Sequence, residues 1–249
     1  MSMKKIIPVV AIISVLLSSC TKEINLDDIS FSNYPVLEGF HVRDTILVDA
    51  SRDGGVWWYP QDGTFNPSID HQGTALVNYL GSLGHIVEEL PRGATITRDL
   101  LRRYDLVIRA GEYGTYTADE IAAYQEFLRR NSALLLATDH SAQLQNDQLA
   151  TYLGLPFEGS YTTDIIKFNP HPITQGVTTH QYIAGSVIRN PDLNKIIPLG
   201  YFSDATITNA TAMGIVIHPS SRIFFIGDLN GLEAVPQPLT KNVMKWLTH

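Results

Sequence analysis

Short, continuously apolar runs alternate with stretches of helical periodicity along most of this chain. The clearest apolar runs are residues 45–49 and 133–137, and residues 71–83 carry leucines and a valine at helical spacing before a glycine. Runs of about five aliphatic residues are typical of buried strands, while apolar positions three and four apart favour an amphipathic helix. The pattern therefore predicts strands and helices in alternation.

The same alternation continues to the carboxyl end. Thr117 and Glu120 have the spacing of a capping box, which predicts a helix that begins at residue 118. The last two predicted strands are joined by a short Pro-Ser-Ser segment, which favours an antiparallel hairpin. Further strands are predicted at 86–90, 106–109, 213–217 and 223–226, and helices at 98–103, 118–130, 147–153 and 239–247.

Uninterrupted apolar strands joined by helices indicate a parallel sheet that is covered on both faces. The predicted fold class is therefore α/β, with an open wound, mostly parallel sheet and helices on both faces. Between residues 156 and 210 the pattern loosens into Gly, Pro, Thr and Asn, and we expect a less regular insertion there. Since no internal repeat is visible, one domain over residues 44–249 is the natural division.

A separate apolar stretch lies at the amino end of the chain. Lys4 and Lys5 precede an apolar segment at 6–17, and Ser18, Ser19 and the chain's single cysteine, Cys20, follow it. A basic start, an apolar centre and small residues at the end are the parts of a secretory signal peptide. The segment is shorter than the roughly 20 residues that a membrane-spanning helix needs. A buried free thiol is the alternative for a lone cysteine.

Residues 17–20, Leu-Ser-Ser-Cys, resemble the lipobox of bacterial lipoproteins. The resemblance implies that residues 1–19 are a signal peptide, that Cys20 becomes the acylated, palmitate-bearing first residue, and that residues 20–43 are a spacer. Two or more acyl chains satisfy the requirement for stable membrane anchoring. Because Thr21 rather than Asp follows the cysteine, we expect a lipid-anchored protein of the cell envelope, at the outer membrane.

Composition narrows the partners of such a protein. Removal of residues 1–19 takes away Lys4 and Lys5, so Lys+Arg falls from 18 to 16 against 25 Asp+Glu, and the net charge moves from −7 to −9. An acidic chain is a poor nucleic-acid binder, because such binding depends on neutralising phosphates. With one cysteine, no intramolecular disulfide can form. The 44% of hydrophobic residues must therefore stabilise the fold through a core.

Polar residues follow four of the predicted strands. In an open parallel sheet, ligands bind at the carboxyl ends of the strands, so these residues are the candidates for a site. The catalytic candidates are Asp49, Asp139, His140 and Asp228, and the ligand-binding candidates are Trp57, Trp58, Tyr59, His71, Arg109, Glu112, Tyr113 and Asn230.

Three segments carry a resemblance to a known superfamily. Residues 104–108 (YDLVI), 116–121 (YTADEI) and 223–228 (IFFIGD), in this strand order, resemble class I glutamine amidotransferase-like domains. The non-amidotransferase branches are closer still, among them uncharacterised bacterial proteins and trehalose-utilisation-type proteins. The resemblance covers most of residues 44–247, and it implies a flavodoxin-like, amidotransferase-like sheet.

The chain departs from that superfamily at the catalytic positions. Amidotransferases carry a nucleophilic cysteine on a Gly-x-Cys-x-Gly turn after the fourth strand. Here residues 137–141 read ATDHS, so Asp139 occupies the position of the cysteine and both glycines are missing. The His-x-Glu after the last strand is replaced by Asp228-Leu229-Asn230. Without a thiol there is nothing for a histidine to activate, which excludes a cysteine-dependent glutaminase.

The carboxylate candidates have a structural alternative. Aspartates at strand ends often cap helices or fix loops. If Asp49, Asp139 and Asp228 instead converge with His140, they form an acid–base pair or a site for a hard cation. Arg109 either neutralises buried carboxylates or binds an anion.

The aromatic candidates also have a structural alternative to a role in binding. Trp57, Trp58 and Tyr59, with Tyr113 from a neighbouring loop, either present their rings to a sugar or a partner protein or cover the end of the sheet as core. His71 is either a turn residue at the start of a helix or points its ring across the same edge.

Two functions from different classes are consistent with these residues. The first is a lipid-anchored binding module that has lost the catalytic turn of its superfamily and recognises a glycan or an envelope protein. The second is a hydrolase that acts on a carbohydrate or related envelope substrate through an Asp/His site, with or without a metal. The loss of the nucleophile favours the first. No cofactor can be named from the sequence.

Overall fold

The structure is a computed structural model, and it describes residues 43–52, 57, 72–111, 114–139, 147–232 and 237–248. All of the described residues belong to one compact unit, Val42–His249. Within these ranges, none of the helices has the length and apolar character that crossing a membrane requires.

The described residues form two sheets. The larger has the strand order β2-β1-β3-β4-β10-β9-β8-β6, and the smaller pairs β5 with β7. The strands are β1 (Thr45–Asp49), β2 (Ile86–Leu90), β3 (Leu106–Ala110), β4 (Ala133–Ala137), β5 (Glu158–Ile165), β6 (Lys167–Phe168), β7 (His180–Val187), β8 (Ile196–Phe202), β9 (Ala210–Val216) and β10 (Arg222–Ile226).

The first five strands of the larger sheet, from β2 to β10, are mutually parallel. The remaining three, β9, β8 and β6, continue the sheet with antiparallel pairing. The predicted mostly parallel α/β sheet is therefore confirmed. The predicted hairpin is confirmed as well, since β9 and β10 are antiparallel neighbours.

Five α-helices accompany the strands in the described ranges. Thr117 forms the expected capping box at the start of the third helix. Its Oγ1 accepts a hydrogen bond from the Glu120 backbone N–H at 3.3 Å, and Glu120 Oε2 accepts one from the Thr117 N–H at 2.8 Å. The helices are α1 (Thr74–Ser82), α2 (Arg98–Leu101), α3 (Ala118–Leu128), α4 (Gln148–Tyr152) and α5 (Pro238–Leu247), with 3-10 turns at Pro172–Thr174 and Leu229–Leu232.

Helices cover both faces of the larger sheet, as the apolar strands predict. Ile46 and Val48 of β1 pack on one face with residues of α1 and α5, which we call the α1–α5 layer. Leu47 points to the other face and packs with residues of α2, α3 and α4, the α2–α4 layer. Every residue of β4 is buried. A strand between two such layers needs apolar side chains on both sides, which explains its continuous apolar run.

The segment between residues 156 and 210 is richer in strands than the sequence indicates. It contains β5, β6, β7 and β8. Most residues of β5 are exposed or half-buried, and only Ile165 is fully buried. A strand whose residues are mainly exposed does not carry an apolar run, so its sequence lacks the usual signal.

Candidate functional site

Asp49, the last residue of β1, is a buried hydrogen-bond acceptor. Its side chain lies in the α2–α4 layer, and the residue is 2% exposed. Oδ2 accepts hydrogen bonds from the hydroxyls of Tyr116 at 2.7 Å and Tyr124 at 2.5 Å, and Oδ1 accepts one from the Ser51 N–H at 2.9 Å. Burial, followed by the charge of Asp49, raises the pKa of Tyr124 well above its ordinary value. The tyrosine therefore stays a donor, and Asp49 ties α3 to the end of β1.

Arg109 of β3 forms a buried ion pair. Its Nη2 donates to Asp147 Oδ2 at 2.6 Å, and the two side chains are 0% and 3% exposed. Asp147 also caps α4, because its Oδ1 accepts the Ala150 N–H at 2.7 Å. A guanidinium inside the core is out of reach of an anion from solvent. In this structure Arg109 neutralises a buried carboxylate, which is one of the two roles that the sequence left open.

A second buried ion pair holds the segment after β1 against α3. Glu120 is 1% exposed, and both of its carboxylate oxygens lie 2.8 Å from Arg52 Nη2. Burial opposes ionisation of Glu120, yet hydrogen bonds from the backbone N–H groups of Thr117 and Ile96, together with Arg52, leave its pKa below the ordinary value. Arg52 also lies over the ring of Tyr116, at 5.1 Å from its centre.

Asp228 fixes the chain where it leaves β10. The residue is fully buried. Its Oδ2 accepts the Ile183 N–H of β7 at 2.7 Å, and its Oδ1 accepts the Asn230 N–H at 2.9 Å. Asn230 thus takes part in this turn through its backbone, at the 3-10 helix Leu229–Leu232. The carboxylate joins the smaller sheet to the end of β10.

Asp139 lies two residues after β4 and is 8% exposed. Asp139 and Asp228 both lie near Tyr182, since after burial their charges raise the pKa of this fully buried tyrosine. The Tyr182 hydroxyl donates to the Ser186 carbonyl. Gly227 makes this packing possible, because a Cβ atom there would collide with the Tyr182 hydroxyl and the Ser186 carbonyl.

The structure brings Asp139 and Asp228 to one tyrosine but keeps Asp49 apart from them. Tyr182 belongs to the α1–α5 layer, whereas the partners of Asp49 belong to the α2–α4 layer. In addition, β3 and β4 lie between β1 and β10, which separates those strands by about 14 Å at the usual strand spacing. Among the described residues, no group of three or more His, Cys, Asp or Glu side chains is placed to hold a metal ion.

Trp57 is part of the core. It is 1% exposed and packs in the α1–α5 layer, where its ring covers Gly73. The Gly73 N–H donates to the Trp57 carbonyl at 3.0 Å. The Trp57 ring is therefore part of the core and is not presented to solvent. This is one of the two possibilities that the sequence left open. Seven other candidates lie outside the described residues: Cys20, Trp58, Tyr59, His71, Glu112, Tyr113 and His140.

An open cleft of about 390 Å³ lies beside the start of α5 and the start of β7, and we call it the His180 cleft. It is lined by Asp164, residues 176–181 and residues 237–239 at the start of α5. His180 is 4% exposed, and neither of its ring nitrogens has a hydrogen-bond partner among the described residues. Burial lowers the pKa of His180 to about 4, although the charge of Asp164 acts in the opposite direction.

The sequence candidates do not include Tyr124, Tyr182 or His180. Tyr124 lies one helical turn after Glu120, so the capping box was a signal for its inward-facing position. His180 and Tyr182 alternate with exposed residues along β7, a period-two pattern that places them on one face. An alternation of buried and exposed residues does not show which other segment covers the buried face of β7. The sequence therefore could not predict a cleft there.

Comparisons with known proteins support the fold but do not indicate a function. No family model matches the chain, and no curated protein matches it in sequence. The fold is similar to the mmIFT52 N-terminal domain, with a TM-score of 0.59, 13% identity and coverage of 82% of this chain and 97% of that one. It is also similar to a ThuA-like protein from Bacteroides uniformis (TM-score 0.53, 13% identity, coverage 86% and 95%) and to another from Parabacteroides merdae (0.52, 11%, 83% and 90%).

ThuA-like proteins have a class I glutamine amidotransferase-like fold. The α/β fold expected from the three sequence segments is therefore confirmed. Identities of 11% to 13% show a shared fold alone. Function must be argued from the residues of this chain.

Proposed function

We propose that this protein is a lipid-anchored envelope protein whose amidotransferase-like domain binds a glycan or an envelope protein and does not act as a glutaminase. The observation that carries the proposal is at the end of β4. Asp139 stands where amidotransferases have their cysteine, and the chain's only cysteine, Cys20, belongs to the lipobox-like motif. A thioester intermediate needs a thiolate, and this domain has none to supply.

The state of the carboxylates weighs against the hydrolase alternative. A general acid or base must come within hydrogen-bonding distance of the substrate. Asp49 and Asp228 are buried, and each accepts hydrogen bonds from the backbone of its own loop. Carboxylates used in this way fix loops, and a bound substrate would have to displace those contacts.

The His180 cleft supports a binding function. Ligand sites for small molecules usually have volumes of about 300–1,000 Å³ and combine apolar walls with a few polar groups. A cleft of about 390 Å³ lined by threonines and glutamines together with the apolar residues Val177 and Leu239 has this character. The anchoring part of the proposal rests on the signal-peptide pattern and the Leu-Ser-Ser-Cys motif alone.

The experiment is a binding and activity screen of the full-length, acylated protein in detergent. Immobilised envelope glycans and extracted envelope proteins are offered as ligands, and ammonia release from glutamine is followed in parallel. We expect saturable binding to one of the two classes and no ammonia above the buffer rate.

Two results would contradict the proposal. Ammonia release by the purified protein would mean that another residue replaces the missing cysteine. Hydrolysis of a glycan that Asp139→Asn abolishes would favour the hydrolase alternative. Asp99→Asn is the matched control, because the Asp99 side chain is 89% exposed and lies on α2, away from these carboxylates.

A further inference from the structure

The starts of five parallel strands lie along one edge of the larger sheet, which we call the amino edge. The starts of β1, β3 and β4 pair in register, and β2 and β10 continue the row on either side. The end of β9 and the start of β8 reach the same edge, because Val216 pairs with both Ile223 of β10 and Ile196 of β8. The described residues begin at Arg43, two residues before β1. The part of the chain that carries Cys20 is therefore connected to the domain at this edge.

Arginines accompany the strand starts in the middle of the amino edge. Arg43 precedes β1, Arg129 and Arg130 precede β4, and Arg222 is the first residue of β10. Arg43 and Arg129 are exposed, and the other two are half-buried. Among the described residues, none of these four arginines forms an ion pair with a carboxylate. The strands from β1 to β10 span about 14 Å at the usual strand spacing.

The positive charge of these arginines is only partly balanced at the amino edge. Two carboxylates without an arginine or lysine partner lie there, Asp44 and Asp105, and Asp44 is buried. The neighbouring ion pairs are neutral as a group, because they join equal numbers of cations and carboxylates: Arg98 and Arg102 with Asp99 and Glu126, Arg103 with Glu88, and Lys195 with Asp192. The balance is four arginines against two carboxylates, so this edge is positive in a chain whose net charge is −7.

The internal segments outside the described residues follow the carboxyl ends of β1, β3, β4 and β10. Their sequences contain five acidic residues and no lysine or arginine. Residues 21–42 contain four acidic residues and Lys22. An acylated Cys20 would keep this stretch near the membrane in every orientation of the domain. Its charge therefore does not favour one orientation over another.

The amino edge also carries most of the exposed large apolar side chains. There are eight of these among the described residues, and five of them lie at this edge. Two lie beside the start of β2, and three lie near β8 and β9, on the other side of the arginines. Their exposed fractions are 36% to 66%, and they are Leu83, Ile86, Leu193, Ile197 and Ile217. A single exposed apolar residue is normal, but five along one edge form an amphipathic surface with the arginines.

This mixture of side chains matches the surface of a membrane. Proteins that lie on a bilayer bury apolar side chains at the boundary between headgroups and acyl chains, and their Lys and Arg side chains are attracted by anionic headgroups. The exposed residues are spread from β2 to β8, which is about 29 Å at the usual strand spacing. A surface of this width fits a bilayer better than a small molecule.

We propose that the amino edge of the larger sheet contacts the surface of a bilayer that contains anionic phospholipids. This inference rests on the anchoring part of the proposed function and adds the orientation of the domain on the membrane. The carboxyl ends of the parallel strands, where ligands bind in such sheets, then face away from the membrane.

The test measures which edge of the domain contacts the membrane. Acylation of Cys20 leaves no free thiol, so one introduced cysteine can carry a polarity-sensitive dye. Leu193→Cys and Ile217→Cys place the dye at the amino edge. Ile166→Cys is the control, because Ile166 is 76% exposed and directly precedes β6, whose Lys167 pairs with Tyr201 near the carboxyl end of β8. The full-length acylated proteins are inserted into vesicles of phosphatidylcholine and phosphatidylglycerol in equal parts, or of phosphatidylcholine alone.

We expect the dye at Leu193→Cys and Ile217→Cys to emit at shorter wavelength on the anionic vesicles and to be protected from a water-soluble quencher. The effect should be weaker on phosphatidylcholine alone, because the attraction of the arginines is missing. The dye at Ile166→Cys should report water on both kinds of vesicle. Two probe positions keep the test valid if one of the cysteine variants does not fold.

Reversal of two arginines tests the role of charge. Each arginine near an anionic surface shifts the equilibrium toward contact by about fivefold. Arg43→Glu combined with Arg129→Glu should therefore reduce contact at the amino edge at least about 25-fold, while the acyl chains keep the protein on the vesicles. Lys167→Glu combined with Arg189→Glu is the control, because it changes the net charge equally at exposed positions away from the amino edge. It should leave the dye signal at Leu193→Cys unchanged.

Several results would overturn the inference. If the protein stays on the vesicles but the dye reports water at all three positions, anchoring stands and the proposed orientation is wrong. If the control pair of reversals releases the amino edge as fully as the test pair, net charge and not this edge is responsible. If the amino edge becomes protected without vesicles as the protein concentration rises, it binds a second copy of the chain. If the acylated protein leaves both kinds of vesicle, the proposed anchoring is wrong as well.

Discussion

Asp49, Asp147 and Asp228 each accept a backbone N–H from the residues that follow them. The donors are Ser51, Ala150 and Asn230, two or three residues further along the chain. Short polar side chains that bond to nearby backbone in this way hold turns and helix starts. Each of the three carboxylates has a second partner from a distant segment, so it also joins two parts of the fold.

The structural role of Asp49 can be tested with Asp49→Asn. The amide cannot accept two tyrosine hydroxyls and a backbone N–H at once, so buried donors lose a charged acceptor. We expect the free energy of unfolding, measured by urea denaturation, to fall by about 2 kcal/mol. Asp99→Asn, at an exposed position, should change it by less than about 0.5 kcal/mol. Unchanged or higher stability of Asp49→Asn would instead indicate a strained carboxylate of the kind found in functional sites.

Asp44, next to the start of β1, predicts a pH-dependent stability. Burial, followed by the charge of Asp105, raises the pKa of Asp44 from 3.8 to about 6, and Arg222 counteracts only part of this. Because the pKa is higher in the folded state, the stabilising contribution of the protonated form is fully present below about pH 3.8. It is lost as the pH rises through about 6.

Asp44→Asn should therefore raise the thermal midpoint at pH 8 and have little effect near pH 3.5. The free-energy gain at pH 8 is at most about 3 kcal/mol, given the difference between the two pKa values. Scans of parent and variant from pH 3.5 to about 8 measure it. A gap between the two proteins that stays constant with pH would contradict ionisation of Asp44 as the cause.

At the scale of elements, the start of α3 is the point where several segments meet. Glu120 completes the capping box with Thr117, pairs with Arg52 from the segment after β1, and accepts the Ile96 N–H. One carboxylate thus serves a helix start, an ion pair and a loop. The capping box is local, whereas the other two contacts link residues 24 and 68 positions apart.

These roles predict an order of stabilities. Thr117→Ala removes a helix cap and should cost about 1 kcal/mol. Glu120→Gln keeps the size of the side chain but leaves Arg52 without a charged partner, so it should cost about 2–3 kcal/mol. Asp119→Asn, in the same first turn but exposed, is the control. Chemical denaturation of the three variants checks the order, and a Glu120→Gln protein as stable as the parent would show that the ion pair adds nothing.

At the scale of the whole molecule, the Leu-Ser-Ser-Cys motif predicts how the chain is held at a membrane. Cys20→Ser should move the protein from the membrane fraction to the soluble fraction, because acyl chains supply the anchoring energy. The domain should keep its thermal midpoint, since Cys20 lies outside the predicted domain at 44–249. Ser19→Ala, which retains the small residue before the cysteine, should remain membrane-bound. A Cys20→Ser protein that still sediments with membranes would mean that something else anchors the chain.

The sequence by itself determined the strands and helices that bury apolar side chains. It also determined the hydrogen bonds whose two partners are near in sequence. The apolar runs at β1 and β4, the helix periodicity of α1 and the Thr117–Glu120 capping box are all properties of a few neighbouring residues. They were predictable because burial on both faces demands a continuous apolar strand, and because a capping box spans one helical turn. The absence of the amidotransferase cysteine is likewise a fact of sequence.

Only the tertiary structure decided what the polar residues do. Asp49 lies 75 positions from Tyr124, and Asp228 lies 45 positions from Ile183, so these bonds depend on how the strands are ordered and which face each side chain meets. The same holds for the His180 cleft, which residues from β5, β7 and α5 form together. The local pattern of apolar and polar residues shows whether a segment is a strand or a helix. It does not show which distant residue will contact a given side chain, because that depends on how the whole chain folds.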